Sequence, residues 1–251
     1  MHSLENNIEN ITSPEKEPAP LATVFIVRHG DTEYKEELVN PEIKNDLTDI
    51  GESQIQELGG KINAKIKAGE TVYIMSSPRT RASNTARILG EAIKQSGRDV
   101  IELKGGKTSL RNFKLLDSKE MDIYEKKNNK EEYLADMERI FERLEQERDY
   151  YFKYRAGKVK QSHTQPLEEY KKKIGTFLRR IVEIARKRGR DNEKLILTTH
   201  GEWLDSVLEL YMSHKIEKLE DSAGKGELIK LEILPNKLKF YFRGQEVLID
   251  A

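Results

Sequence analysis

Two histidines, His29 and His200, are where chemistry would begin. Each closes a short apolar run and each precedes a glycine: Val27-Arg28-His29-Gly30 and Thr199-His200-Gly201. A neutral imidazole is a nucleophile that can carry a covalent intermediate. With an ordinary pKa of about 6.5, a useful fraction is neutral at pH 7. Arg28 and Arg81 add planar guanidinium forks, which match the oxygens of a phosphoryl group. Arg81 falls in the first turns of an expected helix, whose N-terminal amides also favour an anion. Two imidazoles, two guanidiniums and helix N-termini suit phosphoryl transfer to histidine followed by hydrolysis, with the arginines offsetting charge in place of a metal. A single histidine after a strand is more often structural; the combination is what favours chemistry. Gly201, like Gly30, permits close backbone approach to a ligand.

The elements that must position these residues follow from periodicity. Thr23–Val27 reads as a strand buried on both faces. Ile50, Ile55, Leu58, Ile62 and Ile66 recur at helical spacing behind a cap at Thr48 or Asp49. Thr71–Met75 is a second strand. Ser77 with Pro78 is a helix start, carrying Ala82, Ala86, Leu89 and Ile93 on one side. Val100–Leu103 and Lys194–Leu197 are further strands, and a helix from near Gly201 carries Trp203, Leu204, Val207, Leu208 and Tyr211. Glu227–Leu234 and Lys237–Phe242 read as a hairpin about Pro235-Asn236. Alternating strands and helices predict an α/β fold, a three-layer α/β/α arrangement with a mostly parallel central sheet. Ligand-binding groups then gather beyond the carboxyl ends of the strands.

Residues 118–190 differ. Amphipathic helices through Tyr133–Leu144 and Leu167–Ile184, dense in charge, are read as a helical insertion or cap within one domain spanning 21–251. Residues 1–20, polar and proline-containing, are read as a disordered tail.

The 251 residues carry 44 basic and 44 acidic side chains, a formal net charge of zero. That balance argues against wholesale nucleic-acid or membrane-surface binding. There is no cysteine, so disulfides, thiolate metal sites and cysteine nucleophiles are excluded. Apolar runs fall far short of the roughly 20 residues of a membrane span, and the N-terminus lacks a secretory pattern. A cytoplasmic protein is the expectation. No HExxH pattern or Walker loop is present, so neither a metal nor a cofactor is expected. His2, His163 and His214 have no chemical context.

The motifs together resemble those of the histidine phosphatase superfamily, branch 1, the group that includes phosphoglycerate mutases. Arg28-His29-Gly30-Asp31-Thr32 resembles its signature. Asp46-Leu47-Thr48 with Gly51 and Gln54, Ser76-Ser77-Pro78 through Arg81-Ala82 and Thr85-Ala86, and His200-Gly201 match further segments in order. Gly226-Glu227-Leu228-Ile229 resembles its closing strand. The resemblance implies that His29 is the phosphorylated nucleophile, that Arg28, Arg81 and His200 complete the phosphate pocket, and that Thr32 binds near its mouth.

Two positions depart from the family pattern. Lys35 stands where many members have Asn, which would favour a more anionic substrate. Asn112 stands where the proton-donating Glu is usual, and an amide cannot protonate an alkoxide. Glu202, Asp117 or Glu120 could serve instead, although Glu202 also has a plain role as a favourable charge at a helix N-terminus. A substrate with a good leaving group, such as an acyl or histidyl phosphate, would need less proton transfer. The expectation is a metal-independent phosphatase acting on a small phosphorylated substrate or a phosphoprotein. The alternatives are a non-catalytic phospholigand-binding or protein-binding relative, and a mutase.

Overall fold

The run Val24-Phe25-Ile26-Val27 is wholly buried, and its two faces enter two different cores. In a computed structural model, which describes residues 18–32, 46–77, 79–103, 167–188 and 193–250, this run lies in strand β1 (Ala22–Arg28). Val24 and Ile26 point to one side of the sheet and Phe25 and Val27 to the other. The remaining elements are α1 (Asp49–Asn63), β2 (Val72–Ser76), α2 (Thr80–Lys94), β3 (Val100–Glu102), α3 (Leu167–Arg188), β4 (Glu193–Thr199), α4 (Gly201–Tyr211), β5 (Leu228–Ile233), β6 (Lys237–Phe242) and β7 (Gln245–Asp250).

The seven strands are ordered β3-β2-β4-β1-β5-β6-β7. Helices α1 and α2 cover one face through Ile55, Leu58, Ile62, Leu89 and Ile93. Helices α3 and α4 cover the other through Ile174, Leu178, Trp203, Leu204 and Val207. The expected three-layer α/β/α fold is therefore present, but the sheet is evenly mixed rather than mostly parallel. β1·β4, β2·β3 and β2·β4 are parallel, while β1·β5, β5·β6 and β6·β7 are antiparallel. The short turns that join β5, β6 and β7 permit only antiparallel pairing.

Strand β7 was not anticipated. It is reached through a two-residue turn in which Arg243 and Gly244 both have positive φ, 46° and 79°. Such a turn matches the twist of a hairpin, but Arg-Gly is a weaker signal for it than Asn-Gly. α3 is the helix expected over Leu167–Ile184. It lies in the core layer, burying Tyr170, Ile174, Leu178, Val182 and Ala185. The helix expected through Tyr133–Leu144 and most of the expected tail lie outside the described residues. Among the described residues no helix is long and apolar enough to cross a membrane.

Two local details bear on the site. Thr48 caps α1, its hydroxyl accepting the Gly51 N–H at 3.0 Å. A β-carbon added at Gly51 would lie 2.2 Å from the Asp31 carbonyl oxygen, and one at Gly30 would lie 2.6 Å from the Gly51 carbonyl oxygen. The chain after β1 is thus seated directly on the first turn of α1, with glycine required on both sides of the contact.

Gly51→Ala is expected to cost about 1–3 kcal/mol through overpacking. Gly60→Ala on the same helix, where an added β-carbon meets nothing within 4 Å, should be neutral or stabilising by up to about 1 kcal/mol. Urea unfolding of the two variants beside the parent protein checks the contrast.

Candidate active site

Register brings the chemistry together. β1 runs parallel to β4 with Arg28 opposite Thr199, and β2 runs parallel to β4 with Ser76 opposite Thr198. The residues that follow these strand ends therefore arrive side by side. The His29 N–H donates to the Thr199 carbonyl at 3.0 Å, and the Ser77 N–H donates to the Thr198 carbonyl at 2.9 Å. The His29 and His200 rings meet edge to face, with centroids 5.3 Å apart. Both histidines are 1% exposed, and Arg81 is 7% exposed.

The hydrogen bonds of His29 assign its tautomer. Nδ1 lies 2.8 Å from the Gly30 carbonyl oxygen, which can only accept, so Nδ1 carries the proton. Nε2 then holds a lone pair, and Arg81 Nε donates to it at 3.1 Å. Burial, followed by the charge of Arg81, pulls the His29 imidazole well below the usual histidine range. Arg28 and Lys225 add to the effect and the Gly30 carbonyl opposes it. Burial and then Arg81 likewise push His200 far down. Two neutral imidazoles therefore sit among cations.

His200 is the N-cap residue of α4, and its Nε2 lies 2.9 Å from the Ser77 hydroxyl. Its Nδ1 is buried without a hydrogen-bond partner, as are Arg28 Nε and Thr32 Oγ1. The Arg28 guanidinium donates through Nη1 to the Ala223 carbonyl and lies flat against Gly201, where an added β-carbon would be 2.9 Å from Cζ. Gly201 is thus required for the guanidinium to pass. The expected Ser77 cap is corrected here. α2 begins at Thr80 with Arg79 as N-cap, and the Ser77 hydroxyl, beside His200, accepts the Arg79 N–H at 3.4 Å, just ahead of the helix.

Around this centre the segment that follows His29 is tied down. The Gly30 N–H donates to Thr85 Oγ1 at 3.3 Å, and that hydroxyl donates to the Arg81 carbonyl at 2.8 Å. The Asp31 N–H donates to Gln54 Oε1 at 3.1 Å, and Thr48 Oγ1 donates to Asp31 Oδ2 at 3.1 Å. Lys225 Nζ pairs with Asp31 Oδ1 and reaches the Thr32 carbonyl at 3.3 Å. Burial opposes ionisation of Asp31, but Lys225 and Thr48 outweigh it and hold the carboxyl below its ordinary range.

Arg28, His29, Arg81, Thr32, Gly201 and His200 all come to one edge of the sheet. Glu202 follows in the first turn of α4, half-buried. Lys35, Asn112, Asp117 and Glu120 lie outside the described residues. Sequence reasoning missed Lys225 and the Ser77–His200 contact. Gly224-Lys225-Gly226, a lysine between glycines, was the available signal for the first. Among the described residues no cluster of His, Asp or Glu could hold a metal ion.

A family model described as histidine phosphatase superfamily (branch 1) matches residues 24–147. Among solved structures, phosphoglycerate mutase from Bacillus anthracis is similar at 18% identity, covering 92% of this chain and 92% of that one, with a TM-score of 0.52. A mycobacterial glucosyl-3-phosphoglycerate phosphatase in complex with VO3 is similar at 16% identity, covering 92% of this chain and 98% of that one, with a TM-score of 0.51. At such identities the likeness is one of fold. No curated protein matches.

The depressed histidines predict a stability that depends on pH. Unfolding returns each imidazole to a pKa of about 6.5, so below that pH the unfolded chain binds more protons and stability falls. The loss should approach about 1.4 kcal/mol per pH unit for each histidine that stays neutral. Denaturant unfolding between pH 7 and pH 5 in phosphate-free buffer should show this slope, and His29→Gln should remove about half of it.

Proposed function

We propose that the chain is a metal-independent phosphatase of the histidine phosphatase superfamily, working through a phosphohistidine at His29. The observation that carries this reading is the His29 Nε2 lone pair, held neutral and aimed at a guanidinium. A tetrahedral anion entering there takes over the Arg81 hydrogen bond. It also gives partners to Arg28 Nε, His200 Nδ1 and Thr32 Oγ1, which have none without it.

The reaction runs in two steps. Nε2 attacks phosphorus; the P–N bond forms as the P–O bond to the leaving group breaks, and the arginines neutralise charge on the non-bridging oxygens. Water then attacks phosphorus, the P–N bond breaks, phosphate leaves and the imidazole is neutral again. In the first step the leaving oxygen needs a proton unless it is a weak base. Asp31 is held ionised by Lys225, and burial of Glu227 is outweighed by hydrogen bonds from Arg243 and the Gly224 N–H, which keep that carboxyl low as well. Glu202, next along the chain to Gly201 at the pocket wall, is the carboxyl assigned to donate this proton and to accept one from water in the second step. The substrate is a small phosphomonoester, with Lys35 as a cation for a further negative group. Hydrolysis is proposed over mutase chemistry because returning the phosphoryl group to a substrate demands a closed site that keeps water from the phosphohistidine.

Hydrolysis of para-nitrophenyl phosphate should proceed in the presence of EDTA and be lost in His29→Ala; full activity in that variant would eliminate the reading. Arg81→Ala should lower kcat about 10²–10³-fold. Glu202→Gln should slow an alkyl phosphate far more than an aryl or acyl phosphate, since only the alkoxide needs an acid. Equal slowing of all three in kcat/KM, which reports the first step alone, would remove Glu202 from the proton-donor role.

A further inference from the structure

We infer that Asp205 is a positioning residue for Arg28, acting through the backbone at Ser222–Ala223. The inference rests on the phosphate-pocket reading above. Asp205 sits on the buried side of α4 among Trp203, Leu204, Val207 and Leu208, and is 1% exposed. An aspartate inside an apolar helix face is a local conflict. Its propensity there is poor and a carboxylate is costly to bury. Such conflicts mark functional positions more often than structural ones.

The carboxylate is occupied. Oδ1 accepts the Ala223 N–H at 3.0 Å, and the Ser222 hydroxyl donates at 2.9 and 2.8 Å to Oδ1 and Oδ2. Ala223 is thus held at its N–H by α4 and offers its carbonyl to the Arg28 guanidinium. The same guanidinium also rests against Gly201, the first residue of the same helix. One helix therefore bears on Arg28 twice, directly at Gly201 and through Asp205 at Ala223.

From outside, Arg243 holds the same loop. It donates to the Glu220 carbonyl at 2.8 Å, to the Ser222 carbonyl at 3.0 Å and to the Glu227 carboxylate at 2.9 and 2.7 Å. The bond to the Ser222 carbonyl holds the outer side of the peptide whose N–H Asp205 holds from within. Asp205 also brings a negative charge near Arg243, whose proton is held chiefly by the Glu227 carboxylate with Asp205 adding to it. An asparagine in its place would keep the shape and lose that charge.

The test uses the full chain, with inorganic phosphate binding followed by calorimetry and para-nitrophenyl phosphate hydrolysis by steady-state kinetics. Asp205→Asn and Ser222→Ala are compared with the parent protein and again in an Arg28→Ala background. Asp205→Asn is expected to weaken phosphate binding and to lower kcat/KM by about 10–100-fold, the scale of a slightly misplaced group. Ser222→Ala should do the same to a smaller extent, and neither should cost anything further once Arg28 is gone. Unchanged binding and turnover in both variants overturn the inference, as does a loss of equal size in the Arg28→Ala background, which would make Asp205 merely structural. If Asp205→Asn does not fold, Ser222→Ala decides by the same two criteria. A parent protein that neither binds nor releases phosphate fails the phosphate-pocket reading itself and takes this inference with it.

Discussion

The lone pair on His29 Nε2, facing Arg81, is the interaction on which the remaining site geometry depends. It exists because Nδ1 spends its proton on the Gly30 carbonyl, and that carbonyl is where it is because Gly30 is wedged against Gly51 and tied to Thr85. Arg81 is held in turn by α2, whose Thr85 closes the same small circuit. Removing water from this cluster raises the cost of charging either imidazole, while crowding cations around it raises the affinity for an anion. The cluster holds an unfavourable electrostatic arrangement that an anion would relieve.

The division of the sheet follows function. The parallel strands β1, β4 and β2 deliver His29, His200 and Ser77 to one edge. The antiparallel strands β5–β7 do no chemistry themselves. They support the loop over residues 220–227, which brings Ala223 to Arg28 and Lys225 to Asp31. The Gly226 N–H also donates to the His29 carbonyl at 3.1 Å. Arg243, in a left-handed conformation that is uncommon for a residue with a side chain, anchors that loop with its guanidinium.

Much of this was legible in sequence because each part had a local cause. β1 shows as an apolar run since both its faces are buried, α1 shows its Thr48 cap, and the His-Gly pairs mark strand ends. What could not be read was nonlocal. Ser77 looks like a helix cap until His200 is placed beside its hydroxyl. Asp205 looks like a charged helix residue until Ser222 and Ala223 are placed beneath it. Nothing near Lys225 in the chain announces Asp31. β7 escaped because its turn is built on Arg243 rather than asparagine. The mostly parallel reading failed because alternation was seen only in the first four strands.

The pairing of β1 with β4 joins residues 171 positions apart. Contacts of such sequence separation form late and slow folding. During synthesis His29 and Arg81 leave the ribosome long before His200, and the carbonyl of Ala223 later still. A nascent chain thus carries an imidazole without its pocket, exposed to solvent and free to titrate normally. The cluster is complete only once residue 223 has been made, when the distant strand zips in and the carbonyl of Ala223 reaches Arg28.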